Sequence, residues 1–327
     1  VGLSFPRQMF FVASEHVFRM GFLSKLLTYL FHPISRVKGG TDASAALDIV
    51  RALKKGGSVC LFAEGNRSYN GVTGPVFPAT GKLARMSGAS LVTYRLEGGY
   101  LTTPRWAHTL RRGRMHGSVR HVYSPETLRA MTPEAVNEAI RADLAEDAFA
   151  RQAENPVAYR GKRLAEGLEN TLYLCPACGG FGTLRTAGDR LTCACGMEAV
   201  YTEFGTFTGE KAPFANVRDW DAWQTEKLRA MAADPALTLT DDGLRLLRVG
   251  PGHRAAAEAE GRLTMSRERM TLGARSFSLS DIPDMALVGR CRIVFTAGDG
   301  HYEISRSSGD FCARKYSTLY QIWEETR

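Results

Sequence analysis

The chain has 327 residues, 44% of them hydrophobic, and a formal net charge of +8. That length and apolar content exclude a disordered chain and suffice for two or three domains with cores of their own. The positive balance favours an anionic partner, which leaves nucleic acid, a phosphorylated small molecule or an anionic bilayer surface in play. No stretch reaches about eighteen uninterrupted apolar residues and no signal-peptide pattern occurs, so any membrane contact is expected to be peripheral. Seven cysteines are an odd number, and four of them cluster, which fits a reduced compartment better than a secreted disulfide scaffold. The first residue is Val1, and the expectation is of an N-terminally truncated first domain.

In chain order, residues 9–13 (Met-Phe-Phe-Val-Ala) read as a buried strand that leads into Ser14-Glu15-His16. Phe18, Phe22, Leu26, Leu27, Leu30 and Phe31 follow at helical spacing, as a core stripe or as a wall for a lipid chain. A helix beginning at Ser44 carries Leu47, Val50 and Leu53 and is stopped by Gly56-Gly57. Residues 58–61 then form a short strand, and the loop Phe62-Ala63-Glu64-Gly65-Asn66-Arg67-Ser68 begins where it ends. Ligands gather at the carboxyl ends of strands in open α/β sheets. Arg67 beside Gly65 has the chemistry to grip a phosphate with two hydrogen bonds while Glu64 takes a hydroxyl or orients the arginine. The plain alternative is an ion pair in a surface loop.

A helix over 80–87 and a strand over 91–96 complete the alternation of strand and helix that predicts a parallel sheet covered by helices. Arg105, Arg111, Arg112, Arg114 and Arg120 lie in sixteen residues that hold no acid. They read as a solvated loop or as a site for headgroup phosphates. Thr132-Pro133-Glu134 is a helix start that closes the first domain, and 151–170 reads as a polar linker.

Cys175-Pro-Ala-Cys178 and Cys193-Ala-Cys195-Gly196 are separated by fourteen residues whose two apolar-polar runs suit a hairpin. Four thiolates so spaced close a tetrahedron around zinc, in preference to a redox dithiol. A closed set of four has no open position for water, so the expected ion serves folding. Beyond a helical connector with Trp220 and Trp223, short alternating runs separated by turns predict a small antiparallel domain that ends in an amphipathic helix. Its layout resembles a pleckstrin-homology-like domain.

His16 after one strand, with Glu64-Gly65-Asn66-Arg67-Ser68 after another forty-eight residues on, resembles the glycerolipid acyltransferase family that includes the lysophosphatidic acid acyltransferases (PlsC type). The resemblance covers about residues 5–150. Where that family reads Phe-Pro-Glu-Gly-Thr-Arg-Ser, this chain keeps Glu64, Gly65, Arg67 and Ser68 and replaces a proline by Ala63 and a threonine by Asn66. The family's intermediate arginine corresponds to Arg36 or Lys38, and Thr93 stands where its later proline is expected. Five residues after the histidine the family has an aspartate, and this chain has Gly21.

The resemblance implies an α/β acyltransferase domain over 1–150; the readings above add a linker over 151–170, a zinc ribbon over 171–215, a helical connector over 216–234 and a β-rich pleckstrin-homology-like domain over 235–327. It implies transfer of a fatty acyl group from acyl-CoA or acyl-carrier protein to a lysophospholipid such as 1-acyl-glycerol 3-phosphate. His16 is then the general base, and Arg36, Lys38, Glu64, Gly65, Arg67 and Ser68 bind substrate. Structural zinc on Cys175, Cys178, Cys193 and Cys195 is the expected metal, with no catalytic metal. The expected partners are the lysophospholipid, the acyl thioester and an anionic membrane surface, with a protein partner for the C-terminal domain. The expected location is cytoplasmic, peripheral on the inner face of the cell membrane. Gly21 motivates an alternative, a catalytically silent lipid sensor on the same fold, and the zinc ribbon with the basic balance motivates a nucleic-acid-binding protein.

Overall fold

The computed structural model describes residues 1–14, 28–29, 31–36, 43–250 and 254–326. His16, Gly21, Lys38 and the stripe of Phe18, Phe22, Leu26, Leu27 and Leu30 lie outside the described residues. The described residues form two compact units, one drawn from within 1–104 and from Gly113–Ala158, the other from Arg105–Arg112 and 159–326.

The first unit holds a three-stranded parallel sheet. Strand β1 (Met9–Ser14) lies between β2 (Ile34–Arg36) and β3 (Ser58–Cys60), with Ser14 opposite Arg36 and Phe11 opposite Cys60. Parallel pairing brings the three carboxyl ends to one end of the sheet, which is where this architecture collects ligands. Helix α1 (Ala43–Lys54) precedes β3 and buries Ala45 and Ile49. The expected rhythm ends there. Strand β4 (Leu91–Glu97) does not extend the parallel sheet but pairs antiparallel with β5 (His116–Tyr123). On this pair the Thr93 and Tyr123 hydroxyls each donate to Asp143 Oδ2 at 2.8 Å. Both strands are thereby tied to the same helix, α4 (Pro133–Leu144).

Helix α2 (Ala79–Ser87) and helix α3 (Pro125–Ala130) pack with α4 around Ala63, Leu128, Val136 and Ile140, with Val76, Leu91 and Tyr123 against this core. The starts of α3 and α4 follow local rules. Ser124 and Thr132 accept from the backbone N–H groups of Thr127 and Ala135, and proline occupies the first turn of each helix.

In the second unit a four-stranded antiparallel sheet, β6 (Leu184–Ala187), β7 (Arg190–Cys193), β8 (Glu198–Tyr201) and β9 (Phe207–Thr208), carries the cysteine knuckles. Helix α6 (Val217–Met231) follows; α5 (Ala148–Glu154) belongs to the first unit. A seven-stranded antiparallel sheet then forms in the order β13-β12-β11-β10-β16-β15-β14. Its strands are β10 (Leu239–Val249), β11 (Ala255–Met265), β12 (Arg269–Leu272), β13 (Arg275–Ser278), β14 (Met285–Val288), β15 (Arg292–Ala297) and β16 (Gly300–Arg306). The final helix α7 (Ala313–Glu325) buries Tyr316, Leu319, Tyr320 and Trp323. Helix α6 is tied to the segment before the first cysteine knuckle and to α7: the Trp220 indole donates to the Leu174 carbonyl at 3.1 Å, and buried Asp221 takes the Arg314 guanidinium at 2.7 Å.

In the stretch 151–170, Tyr159, Leu164, Ala165 and Leu168 are buried in the second unit. Within the basic segment, Arg105 is 4% and Arg111 2% exposed. Arg105 donates to the carbonyls of Leu287 and Gly289 at 2.9 Å each. Arg111 donates to the Leu164 carbonyl at 2.6 Å and lies over the rings of Trp106 and Tyr201. Neither arginine is available to a headgroup, because buried cations are held where carbonyls and aromatic faces replace water.

Candidate active site and metal centre

Strand β3 runs out into Leu61 and Phe62, and the loop that follows is anchored by Ala63, which is buried in the helix-lined core. Glu64 comes next and is half-buried. One of its carboxylate oxygens accepts from the Gly74 N–H at 2.6 Å. Burial pushes the Glu64 carboxyl above its ordinary pKa, and the Gly74 hydrogen bond pulls it down less strongly.

Gly65 adopts a left-handed φ of 64°, and its N–H closes a turn onto the Phe62 carbonyl at 2.9 Å. A Cβ at this position would stand 2.1 Å from the Phe77 ring. Glycine therefore answers two requirements, a left-handed backbone and a ring against the Cα. Arg67 is exposed, with Nη1 3.5 Å from the Thr103 carbonyl. Ser68 is used inside the loop: its hydroxyl donates to the Val72 carbonyl at 2.8 Å and accepts from the Gly71 N–H at 2.8 Å. Beyond it, Thr73 N–H donates to the Glu146 carbonyl and Ala148 N–H to that of Gly71. The loop is thus fastened to the α4–α5 junction.

Arg36, the last residue of β2, is placed with its guanidinium 4.2 Å from the centre of the Phe77 ring. The same ring serves Gly65 and Arg36, so the two sequence-derived residues from different strands meet through it. Phe77 itself was not singled out by sequence reasoning. The available signal is an aromatic residue in the run Gly74-Pro75-Val76-Phe77-Pro78, where two prolines extend the chain and display the side chain between them. His16 and Lys38 lie outside the described residues, so their relation to this loop rests on sequence alone.

The second site is the cysteine cluster. The sulfurs of Cys175, Cys178, Cys193 and Cys195 all lie within 4.8 Å of one another, with 3.7 Å between Cys175 and Cys195 and 3.8 Å between Cys178 and Cys193. A tetrahedron with metal–sulfur bonds of about 2.3 Å has edges of about 3.8 Å, so the set fits a four-coordinate ion. The two halves repeat one device. Gly179 N–H donates to the Cys175 carbonyl and Gly196 N–H to the Cys193 carbonyl, and both glycines have positive φ. The Cys193 sulfur also lies 3.3 Å from the Thr183 hydroxyl, a hydrogen bond that holds a sulfur in place.

Residues 1–97 match the family model described as Acyltransferase. Among solved structures, the chain is similar to the 1-acyl-sn-glycerophosphate (LPA) acyltransferase PlsC from Thermotoga maritima, at 16% identity and a TM-score of 0.39. The alignment covers 47% of this chain and 61% of that one. No curated protein matches the chain. The match to the family model ends at residue 97, and the β-rich region lies outside it.

The Gly65 geometry makes a prediction about stability. Gly65→Ala should cost about 2 kcal/mol or more in chemical denaturation, because a left-handed alanine and the ring clash add. In a Phe77→Ala background the same change should cost only the left-handed part, about 1–2 kcal/mol. Equal costs in the two backgrounds would show that the ring does not constrain Gly65.

Proposed function

We propose that the chain is an O-acyltransferase that moves a fatty acyl group from an acyl-CoA or acyl-carrier-protein thioester to the free hydroxyl of a lysophospholipid of the 1-acyl-glycerol 3-phosphate type. The observation that carries this reading is the Glu64–Ser68 loop. It holds an acid, a left-handed glycine and an arginine at the carboxyl end of β3, inside the segment that matches the acyltransferase family model.

In this mechanism Arg36, Lys38 and Arg67 meet the acceptor phosphate, and Glu64 orients the acceptor while Gly65 and Ser68 shape the loop. His16 takes the proton from the acceptor hydroxyl as its oxygen attacks the thioester carbonyl. A new ester C–O bond forms, the C–S bond breaks, and the thiolate leaves as a thiol with the proton returned by the imidazolium. No acyl-enzyme is needed. The lysophospholipid and its product belong to lipid surfaces, so the protein works as a peripheral protein on the inner face of the cell membrane. Among the described residues no helix is long and apolar enough to cross a bilayer. Val92, Val119 and Val122 expose apolar side chains on the β4–β5 pair, which suits contact with an anionic membrane surface.

The reading extends to the second unit. Cys175, Cys178, Cys193 and Cys195 hold a zinc ion whose chemistry is structural, cross-linking the loops of a zinc ribbon. The β-rich region is a pleckstrin-homology-like domain that offers a surface to a protein partner. Its support is the order of four and three strands joined at β10, with α7 against β14 and β15. Gly21 favours a second reading, a lipid sensor that binds the acceptor without transfer, because glycine cannot orient or stabilise an imidazolium as the family's acid does.

Incubation of the purified protein with lysophosphatidate and an acyl thioester should give phosphatidate. His16→Ala is expected to slow turnover by about 100-fold or more. Arg67→Ala should reduce turnover strongly. Undiminished product from His16→Ala contradicts the mechanism, and absence of product from the wild type with both donor classes favours the sensor. Elemental analysis should find one zinc per chain, lost in Cys175→Ser together with a lower melting temperature. A full zinc equivalent retained in Cys175→Ser contradicts the ribbon assignment.

A further inference from the structure

Glu64, Gly65 and Arg67 are absorbed by the proposed function, but Phe77 is left over. Its side chain is 36% exposed. The backbone around it is fixed from both sides: Phe77 N–H donates to the Ala63 carbonyl at 3.2 Å, and Thr80 N–H donates to the Phe77 carbonyl at 2.9 Å. The ring therefore stands at a set place beside the loop. One part of it fills the volume that a Gly65 Cβ would need, 2.1 Å from that position. The Arg36 guanidinium lies over it at 4.2 Å.

We propose that Phe77 is a positioning residue, a platform that presents Arg36 to the monoester phosphate of the acceptor; this rests on the acyltransferase reading above. An arginine on an open strand end samples many rotamers, and each must be given up when it binds an anion. A ring beneath the guanidinium removes much of that freedom beforehand. It also leaves the N–H groups at the guanidinium edge to donate to two phosphate oxygens. Because the same ring abuts Gly65, the platform sets Arg36 in register with the Glu64–Arg67 loop, although the two come from different strands. The device acts on the charged headgroup and not on the acyl transfer step. It therefore governs acceptor affinity and the preference for a phosphate over a neutral headgroup.

The test measures equilibrium binding of a short-chain lysophosphatidate to the full chain without any acyl donor, with turnover measured separately. Phe77→Leu should weaken binding about fivefold, and Phe77→Tyr, which keeps the ring, should restore it. Arg36→Ala should weaken binding at least as much, and Phe77→Leu should add little in an Arg36→Ala background. In turnover, Phe77→Leu should raise the acceptor KM by a larger factor than it lowers kcat. Thermal melting of each variant reports folding, and the Phe77→Tyr protein keeps the comparison valid if Phe77→Leu is unstable. Lysophosphatidate affinity indifferent to Phe77→Leu overturns the platform, as do fully additive effects of Phe77→Leu and Arg36→Ala or a wild type that does not bind the ligand. Binding with the expected pattern but no product leaves the platform standing and removes the transfer reaction. Product formed with binding indifferent to Phe77 does the reverse.

Discussion

The candidate site depends on a close approach at Gly65. A backbone turned left-handed at φ 64°, with an aromatic ring where any side chain would begin, admits glycine and little else. Around that contact the other parts follow in order. Ala63 is drawn into the core, Glu64 turns to the Gly74 N–H, and Ser68 closes the rest of the loop onto Gly71 and Val72. The ring that enforces the glycine also carries Arg36. A local steric requirement thereby couples two strand ends that are separated in sequence.

Charge is used differently in the two units. The excess of cations suggests an anionic partner, yet the second unit spends several of its arginines on its own fold. Arg105 and Arg111 satisfy buried carbonyls, and Arg314 neutralises Asp221 between α6 and α7. Removing one member of such a pair leaves the other buried without compensation, so these residues are tied to folding and not to ligand. In the first unit Arg67 is exposed at the site and Arg36 lies over a ring beside it, which suits recognition of an anion. Net charge alone does not distinguish these uses, because it carries no information on which cations meet water.

Features set by neighbouring residues were legible in the sequence. The cap and proline that start α4, the cysteine knuckles and the strand that feeds the Glu64 loop all follow from spacing over a few positions. Features set by distant partners were not. The short runs of the last region read as separated by turns, but β10 continues through Asp241-Asp242-Gly243 with a register shift against β11. Strand β4 reads as a third member of a parallel sheet, and its antiparallel partner β5 begins about twenty residues further on, beyond the reach of local spacing. Phe77 was missed for the same reason: its meaning lies in Gly65 and Arg36, which reach it from two other segments.

The central claim is that the Glu64–Ser68 loop and its Phe77 wall receive the phosphate of a lipid acceptor. The most direct measurement is an experimental structure of the protein bound to a short-chain lysophosphatidate. The account predicts the phosphate within hydrogen-bonding distance of the Arg36 or Arg67 guanidinium, at the carboxyl end of β1, β2 and β3. A phosphate bound in the β-rich region, with both arginines unengaged at saturating ligand, would contradict it.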